Sequence, residues 1–221
     1  GTSQLYGFWR SLAAYRVRIS LNIKKFASEE VSIDIRTGKQ FEAAYRKVNP
    51  QSLVPALDTG SGPALFESLA ICEYLDERFP TPPLLPNEAA QRAWVRGIAL
   101  IHTADTHPLI VPRLRKFLAT EYKQDDAGIT RWGQRWFNEG SASIEQHLVQ
   151  DGYTGRFACG DSVTLADICL ASHWVGATAY FQCDMTPYPT LKRVVEECMK
   201  VDAFAAAHPG RQPGAPAGLA H

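Results

Sequence analysis

The chain has 221 residues, of which 45% are hydrophobic and 21% charged, ordinary proportions for a globular protein able to bury a good core. Its 23 basic and 23 acidic residues give a formal net charge of zero, which argues against a nucleic-acid partner or a strongly charged membrane surface. No apolar run reaches the ~18 residues of a membrane span, and the first residues lack the basic segment and apolar stretch of a secretory signal.

In chain order, Gln4 to Phe8 reads as a strand, and Val31, Ile33 and Ile35 alternate with polar residues as a second. Between them, Tyr15 to Lys24 alternates apolar and polar like a strand, yet Ala14, Val17 and Leu21 also fit a helical stripe. Lys39 to Val48 reads as a helix. Val54 to Leu57 and Ala64 to Phe66 are two more strands, joined by the turn residues Asp58-Thr59-Gly60-Ser61-Gly62. Glu67 to Phe79 then carries Leu69, Cys72 and Leu75 at helical spacing. Phe79 to Pro86 holds four prolines in eight residues and reads as an interdomain linker, because proline lacks a backbone donor and breaks helices. After it everything is helical: 88–118, bent or interrupted by Pro108 and Pro112, then 127–149, 165–181 and 188–199. Thr164 and Asp167 have the spacing of a reciprocal helix cap, taken as a structural element. The tail from His208, rich in Pro, Gly and Ala, is expected to be poorly ordered. The expected division is 1–84 and 85–221.

Five cysteines, Cys72, Cys159, Cys169, Cys183 and Cys198, form no Cys-x-x-Cys pair, and the six histidines show no ligand spacing. A disulfide framework or a metal site is therefore not expected, and a reducing cytoplasm fits best.

Three short runs carry chemistry. Proline in the apolar run Val54-Pro55 removes a ladder donor and belongs at a sheet edge or bend, where backbone groups stay open to a peptide-like ligand. Glu67-Ser68 opens a helix; a carboxylate there can pair with an ammonium, and a hydroxyl with free amides can take a carboxylate, although both residue types are also ordinary caps. Ser11 lies between the first strand and the segment 12–24, where it can cap a helix or stabilise a ligand thiolate, with Arg10 adding positive charge.

Together, Arg10-Ser11, the frame Asn49-Pro50-Gln51-Ser52-Leu53-Val54-Pro55-Ala56-Leu57 and Phe66-Glu67-Ser68-Leu69-Ala70-Ile71 resemble the glutathione site of the glutathione transferases. Arg16-Val17-Arg18-Ile19, Asp105-Thr106-His107-Pro108-Leu109 and Phe181-Gln182-Cys183-Asp184-Met185-Thr186-Pro187-Tyr188-Pro189 are similar to the zeta class, the maleylacetoacetate and maleylpyruvate isomerases. The resemblance covers nearly the whole chain. It implies an α/β thioredoxin-like N-terminal domain followed by an all-α C-terminal domain, a helix over the ambiguous segment 15–24, a cis Val54-Pro55 bond, and a cytoplasmic homodimer. It implies that Val54, Pro55, Glu67, Ser68, Gln40, Gln51 and His107 bind glutathione, that Ser11 and Arg10 act on the thiol, and that Leu12, Ile110, Val111, Arg113 and Tyr180 meet a small unsaturated substrate. The activity implied is thiolate addition to a double bond, rotation, and elimination that returns glutathione. The chain departs from the family where a serine, a cysteine, two asparagines and an arginine are replaced by Leu12, Ala13, Ile110, Val111 and Tyr180. An acceptor pocket more apolar than usual follows, so glutathione conjugation or reductive displacement stands as an alternative, with a non-catalytic binding protein on the same fold behind it.

Overall fold

A computed structural model describes residues 2–218. Strand β1 (Gln4–Gly7) runs parallel to β2 (Glu29–Ser32) and antiparallel to β3 (Ala56–Asp58), which pairs antiparallel with β4 (Leu65–Phe66). The sheet order is β2-β1-β3-β4. A parallel β1–β2 pair needs a long crossover, and helix α1 (Leu12–Ile23) supplies it. The segment that alternates like a strand is thus helical. All but one of its polar residues avoid solvent: Arg16, Arg18, Ser20 and Lys24 are buried along with Ala14, Val17 and Leu21, and only Asn22 is exposed. Arg18 forks onto Glu30 at 3.0–3.1 Å and also donates to the Phe8 carbonyl at 2.7 Å, which ties α1 to β2 and to the residue that follows β1.

The stretch Lys39 to Val48 is not one helix. A 3-10 turn over Lys39–Phe41 stops at Glu42, whose backbone is extended (φ −66°, ψ 145°), and α2 begins at Ala43 and ends at Val48. Helix α3 (Ser68–Arg78) follows β4 directly.

The predicted helix over 88–118 is three pieces: α4 (Ala89–Thr103), a 3-10 turn at His107–Leu109 containing Pro108, and α5 (Pro112–Glu121), which starts on its proline. Then come α6 (Asp126–Gln150), α7 (Leu165–Val175) and α8 (Pro189–Met199). The last turns of the segment predicted helical to 181 form a π-helix, Gly176–Tyr180. Asp167 is fully buried at the head of α7. It accepts from the Thr164 N–H at 2.8 Å, closing the reciprocal cap, and from the Ala158 N–H at 2.9 Å.

Contacts divide the chain into Gly1–Leu84 with Val201–His221, and Leu85–Lys200. The expected second domain, 85–221, therefore loses its final segment. A short helix α9 (Asp202–Ala207), not foreseen from sequence, buries Phe204 and Ala207, and Asn22 of α1 donates to the Ala203 carbonyl at 3.0 Å. The tail from His208 is likewise structured over its described part: His208 and Pro209 are buried, and the Tyr15 and His208 rings meet at 6.0 Å. Residues 219–221 of that tail lie outside the described residues. The proline run is anchored too, since buried Lys24 donates to the carbonyls of Phe79 and Pro82.

Candidate functional site

In the first unit, Val54-Pro55 is a cis peptide bond immediately before β3. The preceding turn is held from α2. The Tyr45 hydroxyl and the Asn49 amide both donate to the Leu53 carbonyl, at 2.5 and 3.0 Å, and the Asn49 side chain accepts from the Gln51 N–H at 3.1 Å. Burial pushes the Tyr45 phenol up to about 12, so it stays a donor across any working pH. Tyr45 and Asn49 were not singled out from sequence as site supports. For Asn49 the signal was present in its Asn-Pro-x-x-x-Val-Pro frame; for Tyr45 there was none.

Glu67 sits between β4 and α3 with φ 66°, unusual for a residue with a side chain. Such backbone persists only where its surroundings hold it, and it concentrates at functional sites. Here the Gln51 amide donates to Glu67 Oε1 at 2.8 Å, joining two residues singled out from sequence. Ser68 is the first residue of α3, where backbone N–H groups have no intrahelical partner. Its Oγ accepts from Arg16 Nε and Nη2 at 3.0 and 2.9 Å. Gln40 donates to the Ile35 carbonyl at 3.2 Å, and its Oε1 is buried without a hydrogen-bond partner among the described residues.

Ser11 is the N-cap of α1: its Oγ accepts from the Ala14 N–H at 3.0 Å. That bond uses a lone pair and leaves the hydroxyl hydrogen to donate elsewhere. Cap and thiolate partner are therefore compatible roles for one side chain. Arg10 precedes it, half-buried, in the turn from β1. Leu12 is 3% exposed and packs in the core at the start of α1.

In the second unit, His107 opens the 3-10 turn, its ring stacked 5.5 Å from that of His102 at an interplanar angle of 11°. His102 and His173 are fully buried, with Nδ1 atoms 3.1 Å apart, and are flanked by Ser172 and Ser141 at 2.8 Å. Burial pushes His173 down to about 3, so it is neutral. Neither ring was singled out from sequence, because His102, Ser141 and His173 lie on three different helices. Ile110 is 4% exposed, and its carbonyl accepts from Arg115 at 3.0 Å. Val111 caps α5 half-buried, Arg113 is exposed on its first turn, and Tyr180 ends the π-helix, half-buried. Among the described residues no group of three or more His, Cys, Asp or Glu side chains could hold a metal ion, and no helix is long and apolar enough to cross a membrane.

Residues 5–83 match the family described as glutathione S-transferase, N-terminal domain. The chain is 40% identical over 210 residues to a maleylpyruvate isomerase of Ralstonia sp., covering 95% of this chain and 98% of that protein. A structure of maleylacetoacetate isomerase from Methylobacterium extorquens AM1 with bound malonate and glutathione superposes with a TM-score of 0.94 at 48% identity, over 97% of this chain and 100% of the other. The holo structure of a maleylpyruvate isomerase, a bacterial glutathione S-transferase in the zeta class, gives 0.93 at 39% identity, over 96% and 100%. These matches span 95–97% of this chain and 98–100% of the relatives. The chain belongs to the zeta-class glutathione transferases, the family of the maleylacetoacetate and maleylpyruvate isomerases.

Proposed function

We propose that the protein is a glutathione-dependent cis–trans isomerase of the maleylacetoacetate and maleylpyruvate type. The observation that carries this is the fit of the first unit to a γ-glutamyl peptide. The cis Val54-Pro55 bond stands immediately before β3, and the pre-set Glu67 carboxylate, bonded to Gln51, stands next to the Ser68 hydroxyl at the head of α3. Val54 offers its main-chain groups to the cysteinyl unit. Glu67 pairs with the γ-glutamyl ammonium, and Ser68 with the α3 N–H groups takes the neighbouring carboxylate. Gln51 and the unpartnered Oε1 of Gln40 complete the polar lining. When bound, glutathione supplies a thiolate able to add to an activated double bond, permit rotation, and leave unchanged.

Ser11 donates its free hydroxyl hydrogen to that sulfur at the positive end of α1 and so lowers the thiol pKa from its usual ~8.5. Arg10 and Arg113 are the cations for a substrate carboxylate or a developing enolate. His107 orients ligand, and Leu12, Ile110, Val111 and Tyr180 set the apolar character of the acceptor site. The same reading extends to a homodimer in the cytoplasm, acting in the breakdown of aromatic compounds. The free cysteines Cys72, Cys159, Cys169, Cys183 and Cys198 support a reducing compartment, and the dimer rests on the family resemblance.

A second reading, glutathione conjugation or reductive displacement on an apolar electrophile, draws on Leu12, Ile110, Val111 and Tyr180 standing where relatives carry polar or cationic groups. One experiment separates the two. The protein is incubated with glutathione and maleylpyruvate or maleylacetoacetate while the cis substrate and total glutathione are followed. Trans product with glutathione unchanged is expected. Consumption of glutathione favours the second reading, and binding without turnover of either diacid refutes the isomerase assignment.

A further inference from the structure

Three polar rungs join α1 to α3 with one constant offset. Arg16 donates to Ser68, Ser20 Oγ meets Cys72 Sγ at 3.0 Å, and Lys24 donates to Asp76 at 2.8 Å; each pair is 52 residues apart. Steps of four on both helices keep the rungs on facing sides of two helices running in the same direction. The second and third rungs end on interior positions of α3. The first ends on the opening residue of that helix, where an anion would be received.

A hydroxyl has one hydrogen and two lone pairs. Arg16 Nε and Nη2 both donate on the lone-pair side of Ser68 Oγ, so the hydrogen is turned away from the guanidinium. Among the described residues that hydrogen has no acceptor. Arg16 and Ser68 are only 4% and 5% exposed, so water screens the charge little. A cationic donor also polarises the O–H it binds and makes it a stronger donor in turn.

We propose that Arg16 is a positioning residue for carboxylate recognition: it aims the Ser68 hydroxyl hydrogen outward and holds a buried positive charge beneath the N-terminus of α3, so that the α-carboxylate of a γ-glutamyl peptide is selected. This rests on the reading of Ser68 given above and adds a residue that does not itself touch the ligand. Its rival is that Arg16 only staples α1 to α3, as Ser20 does.

The test is calorimetric. Dissociation constants are measured for glutathione and for 4-aminobutyryl-cysteinylglycine, which keeps the ammonium and thiol but lacks the α-carboxylate, alongside each variant's melting temperature. The wild type should favour glutathione by about tenfold or more, as expected of charge-assisted hydrogen bonds. R16Q should lose most of that preference while binding the analogue within about twofold of wild type. R16K, which keeps charge without the fork, should fall between, and it carries the test if R16Q does not fold. S20A should lower the melting temperature and leave the preference intact. S68A should lower the preference, leaving what the α3 N–H groups and the Arg16 charge supply, and R16Q should cost less of it in that background than in wild type. If R16Q weakens both peptides alike, or keeps the preference that S68A lowers, the role of Arg16 is refuted and the reading of Ser68 survives. No preference in the wild type would overturn both.

Discussion

Asp167→Ala tests the helical unit most directly. The carboxylate is fully buried and accepts from two backbone N–H groups, Thr164 at 2.8 Å and Ala158 at 2.9 Å. Hydrogen bonds to a charged partner contribute about 1.5–3 kcal/mol each, so removing both should cost about 4 kcal/mol at pH 7.5. For 221 residues that is a drop of roughly 8–16 °C in melting temperature. The pH dependence runs against habit for a helix-capping acid. Burial outweighs the hydrogen bonds and raises the Asp167 carboxyl from 3.8 to about 6. A raised acid binds its proton more readily folded than unfolded. Stability from this group is therefore greatest below about pH 4 and declines as pH rises through 6. Linkage makes wild type gain about 1.4 kcal/mol over Asp167→Ala between pH 7.5 and pH 5. Groups present in both proteins, His173 among them, cancel in the difference. Urea titrations of both proteins at the two pH values give the number. A gap that shrinks on acidification would refute the argument that burial dominates, and a loss below about 1 kcal/mol at pH 7.5 would refute the bonding estimate.

Ser11→Ala should lower kcat about a hundredfold, with glutathione affinity nearly unchanged, because the lost donor acts on the thiolate; single-turnover kinetics with a confirmed substrate would check this. His173 has the opposite sign from Asp167. Its folded value near 3 lies below the unfolded 6.5, so its stability is present above pH 6.5 and lost as pH falls. About 2 kcal/mol should disappear between pH 7 and pH 5, and His173→Asn should flatten that part of the urea profile. Gly133→Ala should destabilise by about 1–3 kcal/mol, because a Cβ there would stand 2.0 Å from the Phe181 ring; a melting temperature equal to wild type would show that α6 yields freely.

Local chemistry was legible wherever a short run carried its own instruction. The Thr164–Asp167 cap specifies its bonding within four residues, whereas the cis form of Val54-Pro55 came from the family resemblance, and Glu67 and Ser68 find their partners, Gln51 and Arg16, 16 and 52 positions away. Pro108 and Pro112 announced the interruption between α4 and α5 for the same reason, although the sequence left open that the helix would split into separate pieces. The segment 15–24 shows where local reading fails. Its alternation comes from a helix that buries Arg16, Arg18, Ser20 and Lys24, and only the partners on β2 and α3 make burial of Arg16, Arg18 and Lys24 tolerable. Family resemblance, not periodicity, pointed to that helix.

The sequence by itself determined the strand and helix runs outside 15–24, the proline linker and the Thr164–Asp167 cap, because those depend on backbone chemistry and spacing within single runs. Tertiary structure alone decided that 201–218 returns to the first unit, that His102 meets His173, and that Arg16 stands behind Ser68. Those facts join residues 52 to 189 positions apart, and such pairings exist only once the helices are packed.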